Sequence, residues 1–435
     1  MIKKLLVVFI AFSALQSYSQ EGTASPYSFY GIGSLKFKGT VENRSMGGLS
    51  IYTDSVHVNL RNPAAYVAPN LKLWNEESRP VKFSVGGSGS STTLKANSGE
   101  AEVSTTTFDY LALSLPLGDF GFGFGLVPYT SVGYDLESLN DNDLVENRYA
   151  GEGGLNRAFI GLGYKITDKL SIGVDVNYNF GNIQNSVIEF NYDEENIPRQ
   201  YQTRESNRSD LSGLNFNIGL TYKTMITDEL ELQAGATYSP VSDLSSINER
   251  TFATILINFT NGQEFVVNEL DADLASRGLE ETDLRLPSRF SIGGGIGKPR
   301  HWFLGAEFTT QNTSEFSNPI VSIEDANFVN ARNVSIGGFY IPDFKSFSSY
   351  WKRSTYRAGI HFENTGLEIN NQPINEFGIS FGVGLPIGQV FSNANLGFEF
   401  GRRGTTDENL IQENFFNLSV SLSLNDRWFQ KRKYN

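Results

Sequence analysis

The chain has 435 residues and a formal net charge of −13 at pH 7, with 43 Gly, 33 Phe, 19 Tyr and no Cys. The missing cysteines exclude disulfides, thiolate chemistry and lipid attachment through a lipobox, and an acidic chain with no basic stripe is a poor match for nucleic acid. Abundant aromatics at a mean hydropathy of only −0.27 suit strands with one face on lipid and the other on water. A soluble sandwich array would need linkers, and no Pro/Ser-rich or low-complexity segment interrupts the chain.

Residues 1–19 read as a cleaved signal peptide. Lys3 and Lys4 precede an apolar run from Leu5 to Leu15, then Gln16-Ser17-Tyr18-Ser19, with cleavage expected after Ser19. The run is too short to cross a bilayer, which takes about 20 apolar residues. Loss of the two lysines leaves the mature chain at about −15. Residues 20–79 are too long and irregular for a lead-in strand, and are expected to fold as a separate hatch.

From residue 80 to 424, period-two segments recur. Phe108 to Leu115 alternates, turns at Gly118-Asp119, and continues as Phe120-Gly121-Phe122-Gly123-Phe124-Gly125, with bulk on one face and almost nothing on the other. Similar hairpins turn at Thr167-Asp168-Lys169, Thr227-Asp228-Glu229 and Lys298-Pro299-Arg300. Between hairpins lie long polar links, clearest at 137–154, 193–210, 268–284 and 310–327. Short turns on one side and long loops on the other are the asymmetry of outer-membrane barrels, turns periplasmic and loops extracellular. The expected fold is an all-β transmembrane antiparallel barrel of about fourteen strands. They start near Pro80, Ser104, Phe120, Gly153, Lys169, Ser209, Leu230, Leu284, Trp302, Phe328, Arg353, Asn375, Asn393 and Asn414, which puts both termini in the periplasm. The pattern is weakest over 241–259 and 328–340. Residues 425–435 form a short basic periplasmic tail carrying Trp428, Phe429, Lys431, Arg432 and Lys433.

Arg44-Ser45-Met46-Gly47-Gly48, followed by Asp54 and then Asn59-Leu60-Arg61-Asn62-Pro63-Ala64-Ala65, resembles the N-terminal segment of the FadL/TodX family of outer-membrane transporters. Gly151 to Asn156 and Leu286-Pro287-Ser288-Arg289-Phe290 resemble later segments of that family. The resemblance implies a fourteen-stranded barrel with its N-terminal segment inside as a hatch, and passive uptake of hydrophobic small molecules through a gap beside a kinked strand. Met46, Gly47, Gly48, Asn59, Asn62 and Pro63 are the hatch candidates: the glycines for a tight turn, the asparagines as caps. Gly125, Pro128 and Tyr129 are the kink candidates, because proline inside a strand belongs at an edge or bulge; Pro128 either kinks the wall or ends its strand at the rim. The hatch is either a fixed plug, the favoured reading, or a mobile gate.

The opening Ser25-Pro26-Tyr27-Ser28-Phe29-Tyr30-Gly31 and the closing residues 425–433 resemble a divergent Bacteroidota branch of such barrels. That likeness implies an alternative role, as a non-catalytic accessory subunit of an outer-membrane protein assembly or secretion complex. Expected partners are therefore outer-membrane lipids, a hydrophobic ligand, or other outer-membrane proteins.

Other motifs point to no chemistry. Gly293-Gly294-Gly295-Ile296-Gly297-Lys298 lacks the spacing of a phosphate loop, with Pro299 where Ser or Thr would hold magnesium. His57, His301 and His361 are scattered, and the acidic clusters at Asp141 to Asp143 and Asp193 to Glu195 lack a calcium-loop repeat. No nucleophile elbow appears, so neither a catalytic site nor a cofactor is expected.

Overall fold

Alternation of bulky and small residues builds the wall. Along Phe120–Pro128, Phe120, Phe122, Phe124 and Leu126 stand exposed on the outer face, while Gly121 and Gly123 are buried on the inner one. The same pattern recurs at Ile172, Val174 and Tyr178, at Leu214 to Tyr222, and at Leu418 to Leu424. Exposed apolar side chains in such numbers are intelligible only against lipid.

The structure is a computed structural model that describes residues 23–54, 56–67, 81–140, 142–258, 260–316, 326–387 and 392–426. Fourteen antiparallel staves form a closed barrel. They are β1 (Val81–Ala96), β2 (Gly99–Leu117), β3 (Phe120–Pro128, resuming as Thr130–Leu139), β4 (Val145–Lys165), β5 (Leu170–Glu189) and β6 (Gln202–Met225). There follow β7 (Glu231–Ser239, resuming as Ser242–Asn258), β8 (Glu281–Leu286, then Arg289–Lys298), β9 (Trp302–Gln311) and β10 (Ala326–Phe328, then Ala331–Tyr340). The last four are β11 (Thr355–Ile369), β12 (Gln372–Ile387), β13 (Ser392–Arg403) and β14 (Gln412–Asp426). Closure is made by β1 and β14, in register from Val81 with Asp426 to Lys95 with Gln412. Along these ladders the backbone groups in the apolar zone are satisfied inside the sheet.

Each expected strand has its stave, and the two weak regions contribute Ser242–Asn258 and Ala331–Tyr340 to the wall. The staves β3, β7 and β8 break beside Pro128, Pro240 and Pro287, where the ring nitrogen has no hydrogen to give to a ladder.

The long polar links are shorter than the sequence suggests. Residues 137–139 and 145–154 remain paired as β3 and β4, and 202–210 already belongs to β6. These stretches lie past the apolar band, where both faces are polar, so the period-two signal vanishes while the hydrogen-bond ladder continues. Within 259–280, Gln263–Asp271 folds back on β7 as an extra arm. At the end of the barrel where β1 starts and β14 finishes most turns are tight; the connection 341–354 between β10 and β11 is much longer.

Candidate functional site

Residues 23–54 and 56–67 enter the barrel lumen. A 3-10 turn at Pro26–Phe29 leads to a two-residue strand, Ser34–Leu35, and then to α1 (Val41–Arg44). Thr40 caps α1, its hydroxyl and Asn43 forming a reciprocal capping box. The chain then reverses at Gly47 and Gly48, at φ +70 and +88°, a region open mainly to glycine. Asn59 Oδ1 accepts from the backbone of Arg61 (3.0 Å) and Asn62 (3.2 Å). Asn62 Oδ1 accepts from Ala64 N at 3.1 Å, and so caps the 3-10 turn Pro63–Tyr66.

The hatch sits directly on the wall, and the inner-face glycines make this possible. A Cβ on Gly121, Gly123 or Gly161 would collide with Tyr66, and one on Gly163 would stand 2.9 Å from Pro63 O. Across the lumen, Gly337 and Gly359 face Met46 and Gly47, and Gly382 faces Ser45. The bare inner face of the Phe-Gly alternation is the seat of the hatch. Met46, Leu49 and Ile51 pack with Phe303, Phe339 and Ile341 in one buried cluster.

Three hatch cations dock on barrel carboxylates. Lys38 lies 2.5 Å from Glu376 and 3.5 Å from Glu363. Arg44 reaches Asp109 (3.3 Å) and Glu399 (3.4 Å). Arg61 reaches Glu307 at 2.7 Å, and the same carboxylate accepts from Ser50 N at 2.7 Å. Further hydrogen bonds continue around the ring: Gly47 N to Ser380 Oγ (2.9 Å), Thr53 N to Gln233 (3.0 Å), Asn62 Nδ2 to Leu220 O (3.1 Å) and Tyr66 Oη to Asp175 (3.1 Å). Burial raises the pKa of Asp54, but His57, whose Nδ1 is 2.7 Å away, and Lys82 outweigh it and hold the carboxyl well below the usual range. Burial pushes the Lys36 ammonium down to about 8.

The wall has a seam. The ladder between β2 and β3 ends at Leu111 and Leu126, and no ladder joins the two staves above it among the described residues. There β3 breaks: Tyr129 N donates to Leu155 O (2.7 Å), and the strand resumes at Thr130, so Pro128 does not end the stave. The hatch strand fills part of the vacated edge, with Ser34 opposite Ser131, Leu35 opposite Thr130, and Lys36 N donating to Tyr129 O at 2.9 Å. The Arg157 guanidinium lies 3.7 Å over the Tyr129 ring. Gly125 sits below the break, paired with Ala112 and Phe159. Behind the seam lies a cavity of about 170 Å³ lined by Tyr27, Tyr30, Ile32, Tyr129, Phe316 and Phe328, with Lys38, Glu363 and Arg403 also on its wall.

The hatch candidates Met46, Gly47, Gly48, Asn59, Asn62 and Pro63 thus lie together in the lumen, and Pro128 and Tyr129 lie at the seam. The docking carboxylates Asp109, Glu307, Glu376 and Glu399 escaped the sequence reading. Their signal was an acid at an inward position of a lipid-facing strand, as in Ala306-Glu307-Phe308. Residues 1–19, Trp428, Phe429, Lys431, Arg432 and Lys433 lie outside the described residues. Gly293 to Lys298 is part of β8, not a loop.

Comparison with solved structures gives the fold. The Pseudomonas putida toluene transporter TodX is similar at a TM-score of 0.59 and 18% identity, over 91% of this chain and 99% of that one. A Pseudomonas aeruginosa FadL homologue is similar at 0.57 and 15%, over 90% and 98%, and the Ralstonia pickettii toluene transporter TbuX at 0.55 and 15%, over 89% and 98%. Comparison with curated proteins finds no match. The model of the BamG family matches residues 1–435. The chain therefore belongs to the BamG family, as an outer-membrane β-barrel of FadL/TodX-like fold.

Proposed function

We propose that this barrel is a non-catalytic accessory subunit of an outer-membrane protein assembly or secretion complex, with its hatch as a fixed plug. The observation that carries this reading is the charged docking of the hatch. Lys38, Arg44 and Arg61 are each held by a buried or half-buried barrel carboxylate. Moving the hatch aside strands those carboxylates in the lumen, and breaking a buried pair costs roughly 3–5 kcal/mol when a partner is simply removed. A lumen crossed by such pairs is a poor route for an apolar solute. Membership of the BamG family supports the same reading. A tagged pull-down from native outer membranes in mild detergent, with mass spectrometry of proteins and lipids, tests it. Stoichiometric recovery with other outer-membrane proteins is expected; a lone barrel carrying a fatty acid or similar apolar ligand overturns it. Deleting residues 426–435, with the aromatic pair Trp428-Phe429, is expected to release the partner while the barrel stays folded.

A second reading, passive uptake of hydrophobic small molecules, is favoured by the seam at Pro128 and the cavity of about 170 Å³ behind it. The transporters TodX and TbuX, by their names, carry toluene. On this reading the solute leaves sideways between β2 and β3, and Pro128→Ala slows uptake at equal surface level. Unchanged uptake counts against the route.

A further inference from the structure

We infer that the periplasmic connection 341–354 is a lipid-binding foot that seats the barrel on anionic glycerophospholipid headgroups of the inner leaflet. The connection is folded. Asp343 N donates to Lys352 O (2.8 Å), Ser346 N to Asp343 O (3.1 Å) and Ser349 N to Ser346 Oγ (3.3 Å). Its far end is tied to the wall by Tyr350 Oη to Pro386 O (3.0 Å) and Tyr356 Oη to Trp351 O (3.1 Å). Yet this ordered segment turns its largest apolar groups outward: Phe347 is fully exposed and Trp351 is 62% exposed, with Phe344 and Tyr350 also exposed. A fold that fixes a segment by its own hydrogen bonds while presenting those rings to the outside has a surface for them to meet.

Two observations identify that surface as the bilayer. The first is continuity: the connection springs from Tyr340 and Tyr356, which pair across β10 and β11 and are exposed on the lipid face. Aromatic residues at this level belong to the headgroup region, where an apolar ring with a polar tip is best solvated. The second is charge. The chain is acidic, but this connection carries Lys345, Lys352 and Arg353 against Asp343 alone. Arg300 on the next turn lies 5.3 Å from the Phe344 ring centroid, and Arg353 lies 5.6 Å from that of Tyr350. Among the described residues none of these four cations is in an ion pair, whereas nearby Lys298 is, with Glu229 at 3.0 Å. Unpaired cations beside exposed aromatics at a headgroup level match phosphate esters bearing net negative charge.

The test uses the full-length barrel reconstituted in vesicles of phosphatidylethanolamine and phosphatidylglycerol, with Trp74, Trp302 and Trp428 changed to Phe so that Trp351 alone reports. Blue-shifted emission, quenched by lipids brominated close to the headgroup, is expected. Water-like emission overturns the inference, and so does blue-shifted emission that brominated lipid leaves unquenched, because the ring is then covered by protein. In parallel, spin-labelled phosphatidylglycerol is compared with phosphatidylcholine at the protein surface. The combined variant Lys345→Gln, Lys352→Gln, Arg353→Gln is expected to lose the anionic preference, roughly fivefold per charge removed. A preference that survives the triple change refutes the headgroup role. The heat-dependent gel mobility of each variant confirms an intact barrel, and a photo-cross-linker at position 347 that captures a periplasmic protein in native membranes, rather than lipid, overturns the inference.

Discussion

Glu307 is the place to test whether the hatch is bolted down. Its carboxylate accepts from Arg61 at 2.7 Å and from Ser50 N and Oγ at 2.7 and 2.9 Å, on a side chain only 3% exposed. Glu307→Gln keeps the volume and one acceptor oxygen but removes the charge that Arg61 faces. Leaving a buried ion without its partner costs roughly 3–5 kcal/mol. Arg61 is 15% exposed and still donates to Gly48 O, so solvent screening and the surviving bond discount the cost to about 2–3 kcal/mol. That raises the population of the opened hatch about 30- to 150-fold. Amide hydrogen exchange on peptides spanning 44–52, read by mass spectrometry, reports this opening, with the barrel strands as internal control. Adding Arg61→Gln is expected to recover part of the loss, because the stranded cation is gone and the coupling energy of the pair is exposed. If hatch exchange in the single variant rises less than threefold, or rises equally in the wall, the docking argument fails.

Adding bulk to the glycine seat is expected to lift the hatch. Gly163→Val and Gly359→Val place methyl groups where Pro63 O and the Met46-Gly47 backbone stand, and trypsin cleavage within residues 36–61 is expected to increase while gel mobility stays that of a folded barrel. Lys36 gives the docked hatch a pH dependence. Its docked pKa, pushed down to about 8 by burial, lies below that of a free lysine near 10.5, so the released state binds more protons between those values. Docking therefore gains stability as pH rises from 8 toward 10.5; the denaturant midpoint for hatch release is expected to climb across that window, and the slope to disappear in Lys36→Met. Breaking the hatch strand by Lys36→Pro removes the N–H that donates to Tyr129 O, and single-channel recording in planar bilayers is expected to show brief openings absent from the native protein.

What the sequence determined by itself is the wall. The period-two alternation of Phe120 to Gly125, or of Leu170 to Val176, is written in neighbouring residues, and lipid on one side makes it obligatory, so each stave was legible one at a time. The hatch motif from Met46 to Pro63 was legible too, because its caps and Gly-Gly turn are local. The extent of the staves was not. Beyond the apolar band, at 145–154 and 202–210, both faces are polar and only the ladder, set by the neighbouring strand, keeps the chain extended. Tertiary structure alone decided the rest: which carboxylate meets which hatch cation, and where the wall opens. Lys38 meets Glu376 across 338 residues of chain, and the seam at Tyr129 exists because β2 and β3 diverge there and the hatch strand takes up one edge. Alternation is a property of adjacent residues against a bilayer, whereas ion pairs and the edge of a sheet depend on segments that closure of the barrel brings together.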